Sequence, residues 1–66
     1  MREKNNIIYY NGLKYIIINS TLYLGNKYIF VVNYDNPRDI KILVCLNNLK
    51  EVDDIFLIKK ILLEMN

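Results

Sequence analysis

The chain has 66 residues, of which 53% are apolar and 24% are charged, with no histidine and a formal net charge of +2. A chain of this length holds a single domain, and its apolar content exceeds the roughly 45–50% of average soluble domains, which excludes an intrinsically disordered protein. The net charge is too small to indicate a strongly basic surface for nucleic acid.

Composition also bears on origin and location. Ile, Asn, Lys and Tyr make up about half of the chain, and Ala is absent. This preference for A/T-rich codons predicts a low-GC bacterium, its phage or a mobile element. Apolar runs stop at five residues, against the roughly 20 of a membrane helix, and the first residues lack a secretory signal pattern. We therefore expect a cytoplasmic protein that does not bind a membrane.

The first predicted element is a β-hairpin. Two β-prone segments, residues 6–10 and 13–19, flank Asn11-Gly12. Asn-Gly readily supplies the two positive φ angles of a type I′ turn.

A second hairpin of the same design follows. Strands are predicted over residues 21–24 and 27–34, with Gly25-Asn26 between them as the turn. Both hairpins therefore rest on Asn/Gly turns, which favour antiparallel pairing of neighbours along the chain.

The next segment predicts two more strands. Pro37 marks a loop, since the residue before a proline avoids the helical conformation. Branched residues predict a strand over 39–46. Cys45 lies in this strand, has no partner for a disulfide and is expected in the core. The pair Asn47-Asn48 predicts a tight turn into a short strand over 49–52.

The chain closes with a predicted helix over residues 54–65. Asp53 can cap this helix, because its carboxylate accepts hydrogen bonds from free amides of the first turn. The helical stripe expected to face the sheet consists of Ile55, Ile58, Leu62 and Met65. The fold class is thus α+β: a single domain over residues 1–66, in which an antiparallel meander of four to six strands is closed by one amphipathic helix packed on one sheet face.

Alternation along the strands predicts two different sheet faces. Tyr15, Ile17, Tyr28 and Phe30 are assigned to the face that carries the helix. The opposite face is more apolar than a solvated face of an antiparallel sheet should be, and large exposed apolar patches usually mark interfaces. The predicted interface residues are Ile16, Ile18, Ile29, Val31 and Leu43 of the sheet with Leu57 and Ile61 of the helix. The alternative is a curved sheet that closes into a partial barrel around these side chains.

Residue types that commonly act in catalysis or bind metal ions are scarce in this sequence. Without histidine the commonest general base and zinc ligand is missing, and a single cysteine excludes a cysteine-rich metal centre. The two glycines are assigned to turns, which leaves no glycine-rich phosphate loop. We therefore predict no enzyme activity, no catalytic residues, no cofactor and no metal.

From Gly12 onward the sequence resembles a small bacterial family, the domain of unknown function 1292. The resemblance is carried by Gly12 in the first hairpin, by "STLYLGNKYIFVVN", by "IKILVCL" and "LKEVDD", and by the closing helix, over residues 12–65. It implies a sheet closed by a helix. The family has no assigned activity, so the resemblance implies no functional residues.

Three functions fit this sequence. The first is a small non-catalytic protein-interaction module that acts through its apolar sheet face or helix and associates with itself as a homodimer. The second is an inhibitor, encoded by a phage or mobile element, of a host or defence enzyme. The third is binding of single-stranded nucleic acid, in which Lys14, Lys27 and Lys41 would contact phosphates and exposed tyrosines would stack on bases.

Overall fold

The structure is a computed structural model and describes residues 6–65. Five strands and one helix follow one another along the chain: β1 (Ile7–Tyr10), β2 (Leu13–Tyr23), β3 (Asn26–Asn33), β4 (Ile40–Cys45), β5 (Leu49–Glu51) and α1 (Ile55–Glu64). The strands form one antiparallel sheet in the order β1-β2-β3-β4-β5. The predicted α+β meander with a closing helix is confirmed.

The first hairpin has the predicted turn. Asn11 and Gly12 have φ angles of 53° and 77°, and Tyr10 pairs with Leu13 on either side of them. Two successive positive φ angles define the type I′ turn, whose twist matches that of the strands it joins.

β2 is a single long strand, where the sequence predicts two. The local sequence preference of Asn19 and Ser20 is for a turn, but in the structure they pair with Phe30 and Ile29 of β3. The register shifts between Ile17 and Asn19, so that an extra residue in β2 forms a β-bulge. Tertiary pairing therefore overrides the local turn preference.

The second turn lies one residue earlier than predicted. Its central residues are Leu24 and Gly25, with φ angles of 51° and 84°, and Tyr23 pairs with Asn26. Leucine is unfavourable in the left-handed region because its Cβ approaches the following carbonyl oxygen. The strand register fixes this turn, and the turn residues adapt to it.

The core consists of two clusters on opposite sheet faces. The concave cluster contains Tyr15, Ile29, Val31 and Leu43. Side chains of both edge strands, Ile8 and Tyr10 of β1 and Leu49 of β5, pack against it. The sheet therefore curls toward this face as a half-barrel and buries the cluster without help from the helix.

The second cluster lies between the sheet and α1. This helix cluster contains Tyr28, Ile42, Val44 and Ile61. The assignment of Tyr15 and Ile17 to the helix side is wrong. Ile17 pairs with Val31 and so shares the concave face, because paired residues in a ladder point the same way.

The helix is held at both ends. Asp54, one residue later than predicted, is the N-cap: its Oδ1 accepts hydrogen bonds from the backbone N–H of Phe56 at 3.0 Å and of Leu57 at 3.4 Å. At the other end the Asn19 side chain donates to the Met65 carbonyl at 3.2 Å. With ten residues, α1 falls well short of the length a bilayer-spanning helix needs, and residues 6–65 contain no other helix.

Candidate interaction surface

Within residues 6–65, ionisable side chains cluster where the loop between β3 and β4 contacts β2. The Tyr15 hydroxyl donates to Asp39 Oδ2 at 2.8 Å, and the Asn33 amide donates to the same oxygen at 3.0 Å. Lys41 Nζ lies 3.1 Å from Asp39 Oδ1. Asn33 Oδ1 in turn accepts from the backbone N–H of Asp35 at 2.8 Å. The Asp39 carboxylate is thus surrounded by donors.

These contacts keep each group in its ordinary protonation state. Hydrogen bonds from Asn33, Tyr15 and Lys41 lower the pKa of Asp39. Burial, and then the hydrogen bond to Asp39, raises the pKa of Tyr15. The hydrogen bond to Asp39 raises the pKa of Lys41. A general acid or base needs a pKa near the working pH, and all three shifts lead away from neutrality. The network is built to hold the β3–β4 loop.

Most of the predicted interface residues are buried within the chain. Four of them have 3% exposure or less: Ile29, Val31, Leu43 and Ile61. Ile16 and Leu57 are half-buried. Ile18 is 57% exposed. Ile29, Val31 and Leu43 lie in the concave cluster because the sheet curls over them, as in the predicted alternative of a curved sheet, and α1 turns Ile61 inward.

The three lysines predicted to contact nucleic acid do not share a face. Lys14 lies on the helix side of the sheet, with its Nζ 4.3 Å from the centre of the Tyr34 ring. Lys27 and Lys41 alternate with the residues of the helix cluster and so point to the other side. Lys41 is also engaged by Asp39 at 3.1 Å and by Glu51 at 3.8 Å. The curled sheet therefore does not assemble them into one track for a phosphate backbone.

Two strongly exposed apolar side chains lie on α1. Phe56 is 73% exposed and Leu63 is 72% exposed. Positions seven apart on a helix lie within about 20° of one line along its axis, so these two side chains form one ridge. Ile55 and Leu62, 58% and 39% exposed, flank it on one side. We call these four residues the solvent face of α1.

The orientation of α1 reverses much of the sequence prediction. Ile61 is its one buried residue, with Leu57, Ile58 and Met65 packed around the helix cluster. Ile55 and Leu62, predicted to face the sheet, are exposed. Seven of the ten residues of α1 are apolar and extend over more than one face, so the apolar stripe locates the packed face poorly. Lys59 and Lys60 mark the solvent side better, since they lie about 160° and 100° from Ile61 at 100° per residue.

A row of branched side chains crosses the sheet beside the helix. Ile7 pairs with Ile16, Ile16 with Val32, and Val32 with Ile40, one residue from each of β1 to β4. Ile7 is 36% and Ile40 53% exposed, and the middle two are half-buried. We call this set the isoleucine row.

A shallow groove joins the row to the helix. Its volume is about 270 Å³. It is lined by Phe30, Ile40, Ile42, Val52, Ile58 and Leu62, with Lys41 and Glu51 at one end. Pockets for small-molecule ligands usually reach about 300–1,000 Å³ and enclose their ligand. The groove instead makes Ile40 and Leu62 parts of one continuous surface.

The solvent face of α1 and Ile40 together form the candidate site, which we call the apolar surface. Taking about 150–200 Å² for a fully exposed side chain of this size, the exposed fractions of its five residues add up to about 500 Å². That is as large as the largest apolar patch on a typical monomer, about 300–600 Å², and such patches are often functional. The sequence indicated a surplus of apolar residues, but it did not indicate where on the fold the exposed ones would lie.

Neither a metal site nor a relative adds to this description. Within residues 6–65, no three His, Cys, Asp or Glu side chains come together as metal ligands would. No protein-family model, curated protein or solved structure matches the chain. The resemblance to domain of unknown function 1292 stays a prediction.

Proposed function

We propose that this chain is a small non-catalytic interaction module that associates with itself through the apolar surface. The single observation that carries the proposal is the exposure of Phe56 and Leu63 on the side of α1 that faces away from the sheet. Large apolar side chains that are exposed together usually mark an interaction surface. Within the chain only the side of α1 that carries Ile61 is covered, and the ridge is the part that a second protein surface would cover.

Two further observations support a binding role over a catalytic one. The ionisable groups that do cluster, Tyr15, Asp39 and Lys41, hold a loop and have pKa values moved away from neutrality. The groove beside α1 is shallow and apolar. The cytoplasmic location and the low-GC bacterial or phage origin stay predictions.

The test compares the mass of the chain in solution before and after the ridge is made polar. The variant Phe56→Gln/Leu63→Gln keeps the net charge and replaces each side chain with a good helix former. Sedimentation velocity over about 5–500 μM protein should show concentration-dependent association of the wild type and a monomeric variant with unchanged circular dichroism.

The matched control is Leu22→Gln. Leu22 is 71% exposed, like Leu63, but lies on β2 outside the apolar surface. This control should associate as the wild type does. A wild type that is monomeric throughout, or association that survives in the ridge variant, would refute the proposal. The second outcome would place the contact elsewhere, for example at the free edge of β1.

A further inference from the structure

We infer that the occupant of the apolar surface is a second copy of this chain, with the two α1 helices packed antiparallel across a two-fold axis. This inference rests on the proposed function and specifies its geometry. The inference follows from the positions of Phe56 and Leu63 on the helix, from the area of the apolar surface and from the positions of two lysines.

The ridge is symmetric about the middle of the helix. α1 runs from Ile55 to Glu64, so its midpoint lies between Lys59 and Lys60. Phe56 and Leu63 lie at equal distances from that point. A two-fold axis through it, perpendicular to the helix, places Phe56 of each copy against Leu63 of the other. A closed dimer needs such a self-complementary patch.

The area agrees with what a dimer requires. A standard interface removes about 800 Å² from each partner, and about 65% of a homodimer interface is apolar, which amounts to about 500 Å² of apolar surface per copy. The apolar surface exposes about that much, a tenth of the 4888 Å² accessible to solvent over the chain. The ridge of Phe56 and Leu63 points away from the sheet, so two helices can meet along it.

The antiparallel direction is favoured electrostatically over the parallel one. Antiparallel helices bring the positive N-terminal end of each dipole beside the negative C-terminal end of the other. The carboxylates at the two ends, Asp54 and Glu64, meet other carboxylates in either direction, so the dipoles alone make the difference.

Two lysines make the arrangement recognisable by experiment. At 100° per residue, Lys59 and Lys60 lie about 50° to either side of the ridge. In the antiparallel pair, Lys59 of one copy is adjacent to Lys59 of the other, and Lys60 to Lys60, whereas a parallel pair would place Lys59 beside Lys60. Their like charges oppose association at low ionic strength. Added salt should therefore strengthen this dimer, whereas it weakens binding to an anionic partner.

The experiment is a charge cycle at these two positions, read as the dimer dissociation constant from sedimentation equilibrium. Lys59→Glu keeps like charges in contact within its own dimer and should leave the constant near the wild-type value at 50 mM salt. An equimolar mixture of the wild type with the double variant Lys59→Glu/Lys60→Glu can form a mixed dimer with two Lys–Glu contacts, and we expect this mixed dimer to be about tenfold tighter than either homodimer. Lys50→Glu changes the same charge on the exposed strand β5, and its mixed dimer with the wild type should stay within about twofold of the wild-type constant.

The outcomes separate this inference from the proposed function. If association disappears in Phe56→Gln/Leu63→Gln but Lys59→Glu tightens its own dimer, or the mixed dimer is no tighter than the homodimers, the surface is right and the antiparallel pairing is wrong. Association that survives the ridge change refutes both. A chain that is monomeric to about 1 mM, yet sediments with vesicles of phosphatidylglycerol, overturns the inference in favour of a lipid surface.

Discussion

The turn between β2 and β3 offers the clearest stability test, because it holds a leucine in a left-handed conformation. Leu24 has a φ of 51° and an 83% exposed side chain. Leu24→Asn should stabilise the fold, since the left-handed region costs an ordinary L-residue about 1–2 kcal/mol and asparagine tolerates it much better. We take the relief as about 1 kcal/mol.

The side chain itself contributes little in return. Complete burial of a leucine stabilises by about 1.5–3 kcal/mol, and with 83% of this side chain exposed the loss amounts to about 0.4 kcal/mol. The net expectation is a gain of about 0.5–1 kcal/mol. For a domain of this size that raises Tm by about 2–8 °C.

Urea denaturation and thermal melts at low protein concentration measure this change in the monomer. Leu24→Ala is the matched control: it removes the same side chain but keeps the left-handed penalty, so it should give no gain. A Leu24→Asn protein no more stable than the wild type would refute the reasoning, because the turn would then impose no cost on leucine.

Three further predictions concern the core, the helix cap and pH. Leu43→Ala should lower the free energy of unfolding by about 2–5 kcal/mol, because Leu43 is fully buried in the concave cluster. Leu63→Ala should change the stability of the monomer by less than about 0.5 kcal/mol, because Leu63 is exposed. Urea titrations that give similar values for the two variants would contradict this assignment of burial. Asp54→Ala should cost about 1 kcal/mol and Asp53→Ala much less, since Asp54 alone caps α1; an equal loss of stability in the two variants would speak against this cap. The lowered pKa of Asp39 adds stability that is present above the ordinary pKa of an unfolded aspartate, 3.8, and is lost as the pH falls through the folded value. The raised pKa values of Tyr15 and Lys41 add stability that is present below the ordinary values of 10.0 and 10.5 and is lost at higher pH. Asp39→Asn should therefore flatten the acid limb of the stability curve measured from pH 2 to 7, and an unchanged limb would show that Asp39 does not contribute to it.

The local features of the fold could be predicted from the sequence because they depend on neighbouring residues. The first hairpin follows from Asn11-Gly12, since few residues other than Asn and Gly accept the two positive φ angles. The closing helix follows from its length, its composition and an aspartate at its start, although the cap is Asp54 rather than Asp53. Five strands in chain order follow from short turns, which leave neighbours little choice but to pair.

The candidate site could not be located in the same way. The surplus of apolar residues predicts an interface, but the predicted residues Ile29, Val31 and Leu43 lie in the concave cluster. Their burial depends on edge strands that curl over them, which is a long-range property. The network of Tyr15, Asn33 and Asp39 was equally hidden, because it joins residues up to 24 positions apart.

The sequence by itself therefore determined the elements, their order and the excess of apolar side chains, because turns, caps and periodicity act over a few residues. Tertiary structure alone decided which apolar side chains are covered. The apolar residues of α1 extend over more than one face, so its rotation is set by packing of Ile61 into the helix cluster and by the Asn19 hydrogen bond at its end. That rotation leaves Phe56 and Leu63 in solvent.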